Sequence, residues 1–349
     1  MKLETISCEK IMTTSLKPIE FCVENLIASG LYILAGVPKS GKSWLALDIC
    51  LSIAKGEKVL DKPTVQGTSL YLCLEDSETR LQNRLYEITD EPAEKLYFSL
   101  LADSIGRGLE NQIESFKKEH SDLKMVFIDT LQKVRNDDES NYGSDYRELS
   151  VLKNLAEKLS IAVVLVHHLR KCYDSDPFNM ISGSSGLRGC VDGAFVLQIT
   201  DKQNHEAVLY CEGRDIESRE IKIRFSSVNH QWEKLADSIT EPEKFDDEIV
   251  TAMVTVMKSE KSFIGTPTEL TEKINQYTKQ KYIPNIISKK LLQSADRLIQ
   301  QNILFEMKRS NGTRKIAVRY INNDSADSDD EMINVSDKLV VPAEKPVTT

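Results

Sequence analysis

The chain has 349 residues, more than one typical domain holds, with 40% hydrophobic residues and a formal net charge of −9. That acidity excludes attraction of the whole surface to nucleic acid, so any such contact must come from a local basic patch. No apolar run approaches ~20 residues, which excludes a membrane-spanning helix, and Met1–Met12 lacks the basic-then-apolar pattern of a secretory signal.

In chain order, short apolar runs alternate with helical patterns. The predicted strands are Leu31–Ala35, Ser69–Leu74, Lys124–Ile128 and Ile161–Val166, then Gly193–Ile199 and Ala207–Glu212. Each run is nearly continuous in apolar residues, as strands covered on both faces are. Helical stretches lie between them at Ser43–Ala54, Ser77–Ile88, Leu109–Glu119 and Tyr146–Leu159. Alternating strand and helix predicts an α/β fold, a parallel sheet flanked by helices, over residues 1–235. The seven cysteines are scattered, odd in number and never spaced C-x-x-C. That usage fits reduced thiols in a cytoplasmic protein better than a disulfide framework or a zinc site.

A second, small α+β unit is expected at 241–321. Its predicted helices are Phe245–Met257, Pro267–Tyr277 and Asn285–Gln301, followed by strands Ile303–Lys308 and Lys315–Ile321 around the turn Asn311-Gly312. Thr266, Pro267 and Glu269 read as N-cap, first helical residue and capping-box partner. Helices followed by a β-hairpin predict a winged helix-turn-helix. Residues 322–349 are acidic and almost free of large apolar groups, which predicts a disordered tail.

The chemistry concentrates in Gly36-Val37-Pro38-Lys39-Ser40-Gly41-Lys42-Ser43, a full match to G-x-x-x-x-G-K-[ST] between an apolar strand and an amphipathic helix. Glycines let backbone N–H groups approach phosphates, and the following helix aims its N-terminal dipole at the anion. Lys42 is expected to neutralise β/γ-phosphate charge and Ser43 to ligate Mg²⁺, so the cofactors are ATP and Mg²⁺. Asp129, which ends an apolar strand, is the candidate second holder of the hydrated Mg²⁺. Glu75 ends another strand and is the candidate to orient or deprotonate the attacking water, with Asp76 as helix cap or support. A third strand ends in His167-His168; His168 is the candidate γ-phosphate sensor, with His167 open as the alternative.

The ordered segments GVPKSGKSW, LCLEDSETRLQNRL, FIDT, LVHHLRK and SGSSGLRGCVDGAF together resemble the RepA-type hexameric helicase branch of the RecA-like P-loop ATPases, over about Phe21–Phe225. The C-terminal unit is similar, more loosely, to winged helices appended to such ATPases of phages and other mobile elements. The resemblance implies a RecA-like sheet and self-association to a ring, commonly a hexamer, with ATP at subunit interfaces. It implies ATP-handling roles for Lys42, Ser43, Glu75, Asp129 and His168, and nucleotide contacts at Trp44 and Arg84. Arg214, in CEGRD, resembles an arginine finger that reaches a neighbour's ATP; otherwise it is an ordinary partner of Asp215.

DNA is the expected partner, as a single strand in a ring channel, as duplex at the winged helix, or both. Lys171 and Arg188 flank a loop that faces the channel in RecA-like rings. Lys289 and Lys290 lie on the third predicted helix of the second unit, and Arg309, Arg314 and Lys315 surround its hairpin turn. Two functions fit: a ring-forming helicase-like ATPase of a mobile element, or an ATP-gated DNA-binding initiator or regulator that separates no strands.

Overall fold

In the computed structural model, which describes residues 3, 5–15, 19–136, 142–170, 172–183, 185–239, 246–310 and 313–321, the chain divides into two units. One is Ile19–Glu241; the other is Met1–Pro18 together with Pro242–Thr349. The sequence places 1–235 in a single unit, but helix α1 (Cys8–Thr13) belongs with the C-terminal residues.

The first unit opens with a ribbon of β1 (Phe21–Val23) and β2 (Ile27–Ala28). There follow β3 (Gly30–Gly36), α2 (Lys42–Lys55), β4 (Thr68–Cys73), α3 (Glu78–Ile88), β5 (Leu96–Ser99), α4 (Leu109–Glu119) and β6 (Leu123–Asp129). The chain continues through α5 (Leu131–Val134), α6 (Tyr142–Leu159), β7 (Ala162–His168) and α7 (Ser185–Cys190). It closes with β8 (Gly193–Asp201), β9 (Glu206–Gly213), β10 (Arg219–Phe225) and β11 (Trp232–Asp237).

Among the described residues these strands build a nine-stranded sheet in the order β11-β10-β9-β8-β3-β7-β6-β4-β5. From β8 to β5 every pairing is parallel; from β8 to β11 every pairing is antiparallel. This is a mixed-edge α/β sheet, parallel over most of its width and flanked by helices. Its centre, β3, is buried at every position, and its neighbouring residues serve opposite faces. Tyr32 and Leu34 join one core with α2 and α3, while Leu31, Ile33 and Ala35 join the other with α4 and α6. Two-sided burial is the physical reason that the run reads as continuous rather than alternating.

Three strands of this sheet, β5, β10 and β11, lie outside the expected set. β10 alternates buried and exposed residues, with Arg219, Ile221 and Ile223 inward. Its alternating charges hide it from a search for apolar runs, and buried Arg219 is held by Asp237 of β11. β11 is an edge strand and β5 the opposite edge, both short and only partly covered.

The second unit carries α8 (Asp246–Glu260), β12 (Ser262–Gly265), α9 (Pro267–Ile274), α10 (Pro284–Gln293), α11 (Ala295–Gln300), β13 (Ile303–Ser310) and β14 (Thr313–Tyr320). Its sheet runs β12-β14-β13 and covers a core that includes Met253, Phe263, Leu270, Ile287, Leu298 and Ile316. The capping box at Thr266 and Glu269 is present, with both reciprocal hydrogen bonds. The helix expected over Asn285–Gln301 is two helices, because buried Ser294 leaves helical geometry at φ −105°, ψ 18°. Likewise the helix expected to reach Tyr277 stops at Ile274. The turn Asn311-Gly312 lies outside the described residues; Ser310 and Thr313 pair across it. The N-terminal segment is tied to this unit: Ser15 Oγ donates to Leu292 O at 3.1 Å and Arg314 Nη2 to Met12 O at 3.2 Å.

Candidate nucleotide site

The loop between β3 and α2 is shaped by positions that reject a side chain. A Cβ at Gly36 would sit 2.8 Å from Ser40 Oγ and 3.0 Å from Leu197 O. Gly41, just ahead of α2, has φ +89°, and a Cβ there would meet the Trp232 ring at 2.7 Å. Lys39 is also left-handed, at φ 61°. Glycine alone tolerates both the sign of φ and the approach at Gly41.

Lys42 is buried, and its Nζ donates to Gly36 O and Val37 O, both at 2.9 Å. An ammonium has three donors, so one remains for an anion held by the loop. Burial lowers the Lys42 pKa, and the charges of Asp129 and Glu75 oppose that shift. Ser40 Oγ is buried without a hydrogen-bond partner among the described residues. An orphaned hydroxyl beside a buried cation and a helix N-terminus fits a phosphate group.

The carboxylates stand at the C-terminal ends of adjacent parallel strands. Asp129 pairs in register with Cys73, and Leu74 N donates to Asp129 O at 2.8 Å, which places Glu75 alongside. Asp129 Oδ2 accepts from Ser43 Oγ at 2.7 Å and from Tyr71 OH at 2.8 Å. Burial raises the Asp129 pKa, and these two hydrogen bonds counter it. Thr130 Oγ1 donates to Glu75 Oε1 at 3.1 Å. A serine hydroxyl touching an aspartate is a hard-oxygen donor set, suited to Mg²⁺ that keeps waters and phosphate oxygens as its other ligands. Asp76 does not cap α3; Ser77 does, and Asp76 forms a close ion pair with Arg84.

An aromatic wall completes the cleft. Trp44 has Arg84 over its ring at 5.6 Å, with His230 stacked 5.3 Å away and Phe225 at 5.7 Å. Trp232 Nε1 donates to Gly41 O at 3.2 Å. The resulting cleft of about 520 Å³ runs from the loop past Trp44 and Arg84 to Lys202, His205, Phe225 and Trp232. That volume lies within the usual range of small-molecule and cofactor sites.

Residues 2–174 match the family model of the AAA domain. Over this segment the chain is similar to AAA domains, and its phosphate loop makes it a P-loop ATPase. A solved structure described as that of a DnaB-like replicative helicase and its interactions with primase is also similar, at 15% identity and TM-score 0.49. The match covers 60% of this chain, and the chain spans 59% of that one.

Not every expected residue of the ATPase joins this cleft. His168 lies beside Gly36 in the β3–β7 register, half-buried, and its backbone carbonyl accepts from Ser182 N at 3.0 Å. His167 turns to Ser182 O at 2.9 Å and is buried, which lowers its pKa. With a carbonyl at Nε2, that nitrogen carries the proton in the neutral ring. Arg214 sits at the opposite end of the sheet, where it pairs with Asp192, not Asp215, at 3.3 Å. Asp192 also accepts from Leu31 N at the start of β3. A seven-residue strand, roughly 20 Å, therefore separates Arg214 from its own phosphate loop.

Arg188 does not stand free for a phosphate. It binds both carboxylate oxygens of Glu212 at 2.7 and 2.8 Å and reaches Asp176 at 3.2 Å, so a channel strand would have to displace two acids. Lys171 lies outside the described residues. In the second unit Lys289 and Lys315 are exposed and Lys290 is half-buried. Arg314 is engaged by Met12 O and by Met307 Sδ, and Arg309 pairs with Arg314 in the β13–β14 ladder.

Tyr71, Thr130, Lys202, His205, Phe225 and Trp232 belong to the site without a motif of their own. One signal existed: the chain has only two tryptophans, and both are here. No helix of the described residues is long and apolar enough to cross a membrane.

Proposed function

We propose that this ATPase is Mg²⁺-dependent, assembles into a ring and acts on DNA as a helicase-like protein of a mobile element. The observation that carries the reading is the meeting of Ser43 with Asp129 beside Lys42, with Glu75 on the neighbouring strand. The loop amides, Lys42 and the Ser40 hydroxyl bind the triphosphate, and Trp44, Arg84 and the facing aromatic wall orient the base. Ser43 and Asp129 would hold a magnesium ion, whose charge would offset that of the triphosphate. Glu75, held by Thr130, orients the attacking water, and His168 reports the γ-phosphate to residues 169–183. Arg214, remote from its own loop, serves the neighbour's site.

The DNA reading is supported by charge. Residues 246–321 hold thirteen Lys and Arg against eight Asp and Glu, a net +5 in a chain of net −9. The order α8-β12-α9-α10/α11-β13-β14 with a three-stranded sheet supports a winged helix. The test is a forked-DNA strand-displacement assay with ATP, run beside Lys42→Ala and with turnover measured with and without DNA. DNA-stimulated turnover with displacement supports the motor. ATP-dependent duplex binding without displacement makes the protein an initiator or regulator; turnover indifferent to DNA with no displacement removes the motor, and no affinity for any duplex at low salt removes the initiator.

A further inference from the structure

The three-stranded sheet of the second unit has one buried and one exposed face. Phe263, Ile303, Met307, Ile316 and Val318 turn into the core. Alternation puts Lys308, Lys315 and Arg319 on the opposite face, where all three are exposed. Strands β12, β13 and β14 together carry five Lys and Arg against one acid, Glu306, which binds Lys308 at 2.6 Å. Lys308 stands directly opposite Lys315 in the ladder, an arrangement that costs stability unless an anion covers it.

The chain supplies such an anion immediately after β14. Asp324, Asp327, Asp329, Asp330 and Glu331 fall within eight residues that contain no cation. Residues 322–349, which lie outside the described residues, hold seven acids and two lysines, a net −5 that mirrors the +5 of residues 246–321. We propose that residues 324–331 dock on the outer face of this sheet, over Lys308, Lys315 and Arg319, and compete there with nucleic acid. The competition rests on the reading of residues 246–321 as a DNA-binding unit; the docking itself does not. Both edges of β14 are taken by β12 and β13, so a returning segment lies over the face and meets side chains. From Tyr320 back to Lys315 the strand runs about 17 Å, a span that about five residues of extended chain cover. A reversal at Asn322-Asn323, residues suited to turns, therefore sets Asp324 level with Arg319 and Asp327 to Glu331 over the lysines. Tethered so closely, the acids act at an effective concentration on the order of 1 mM, so an intrinsic affinity of about 0.1 mM keeps the face occupied about 10:1.

The test compares the full chain with a full-chain variant carrying Asp324→Asn, Asp327→Asn, Asp329→Asn, Asp330→Asn and Glu331→Gln. Limited lysine acetylation, read by mass spectrometry without DNA, should proceed several-fold faster at Lys308 and Lys315 in the variant. The difference should vanish near 1 M salt, and Lys289 on α10 should react alike in both proteins. The variant should bind a random-sequence duplex about 10-fold more tightly at about 0.1 M salt. DNA-free ATP turnover should be unchanged, which confirms that the variant folds. Equal acetylation of Lys308 and Lys315 in the two proteins, or protection shared equally by Lys289, overturns the docking. Selective protection with equal duplex affinity overturns the competition. Selective protection with no duplex binding by either protein at low salt removes the DNA-binding reading and leaves the docked segment standing.

Discussion

Ser43 and Asp129, separated by 86 residues of chain, meet through a 2.7 Å hydrogen bond at the mouth of the phosphate loop. The contact joins the first turn of α2 to the end of β6, and the ATP chemistry of the site depends on it. Lys42 and Glu75 flank it, and the Asp129 and Glu75 charges oppose the lowering of the Lys42 pKa by burial.

Lys42→Ala should lower ATP turnover by at least about 10²-fold, since a donor aimed at developing phosphoryl charge is lost from a dry site. Phosphate release measures it. Unchanged far-ultraviolet circular dichroism would separate lost chemistry from lost fold.

Tyr71→Phe should raise the Mg²⁺ concentration needed for half-maximal turnover by about 10-fold, by analogy with partners that orient metal ligands. Tyr71 is fully buried and donates to the same Asp129 oxygen as Ser43. A magnesium titration that matches the parent curve would refute a role for this tyrosine in shaping the carboxylate.

Asp48 makes stability depend on pH. It is buried in α2, accepts from Gln231 Nε2 at 2.7 Å, and burial pushes its pKa up from 3.8 to about 6. Between these values the folded state binds the extra proton, so this group's contribution to stability falls as pH rises from about 4 to about 6. Above that window the folded chain carries a buried carboxylate. Asp48→Asn keeps an acceptor for Gln231 and should stabilise by up to about 3 kcal/mol at pH 8. Urea unfolding should show little difference between variant and parent near pH 4.

Trp44 and Trp232 are the only tryptophans, and both line the cleft. Intrinsic fluorescence should therefore change saturably on titration with Mg-ATP. The change should shrink in Trp44→Phe and persist in variants of the second unit such as Lys289→Ala. A flat titration under conditions of active turnover would contradict the placement of the nucleotide along the aromatic wall.

Arg214 gives a test of assembly. If it completes a neighbour's site, Lys42→Ala and Arg214→Ala are each inactive alone, but mixed and reassembled they should recover turnover, because some interfaces then combine an intact loop with an intact arginine. No recovery on mixing would remove the trans role.

The phosphate loop was legible because its requirements are local. Positive φ at Gly41, the crowding at Gly36 and the helix that starts at Lys42 are set by neighbours in the chain and by a strand that is apolar on both faces. Asp129 and Glu75 were legible as acids that end apolar runs. Helix breaks such as Ser294 were not, because the pattern of apolar residues continues across them. Arg188 looks like a free cation in sequence, and only the fold shows Glu212, across 24 residues, accepting from its Nε and Nη2.

By itself the sequence determined the nucleotide chemistry, the alternation that makes a parallel sheet and the division of charge between an acidic ATPase unit and a basic C-terminal one. The tertiary structure decided the order of strands, the hydrogen bond of Tyr71 to Asp129, the seating of Trp232 on Gly41 across 191 residues, and the attachment of the N-terminal helix to the far end of the chain. The reason is range. Backbone conformation and apolar period answer to residues a few positions away, whereas pairings between distant segments are chosen by how the whole chain buries its apolar surface while satisfying its polar groups.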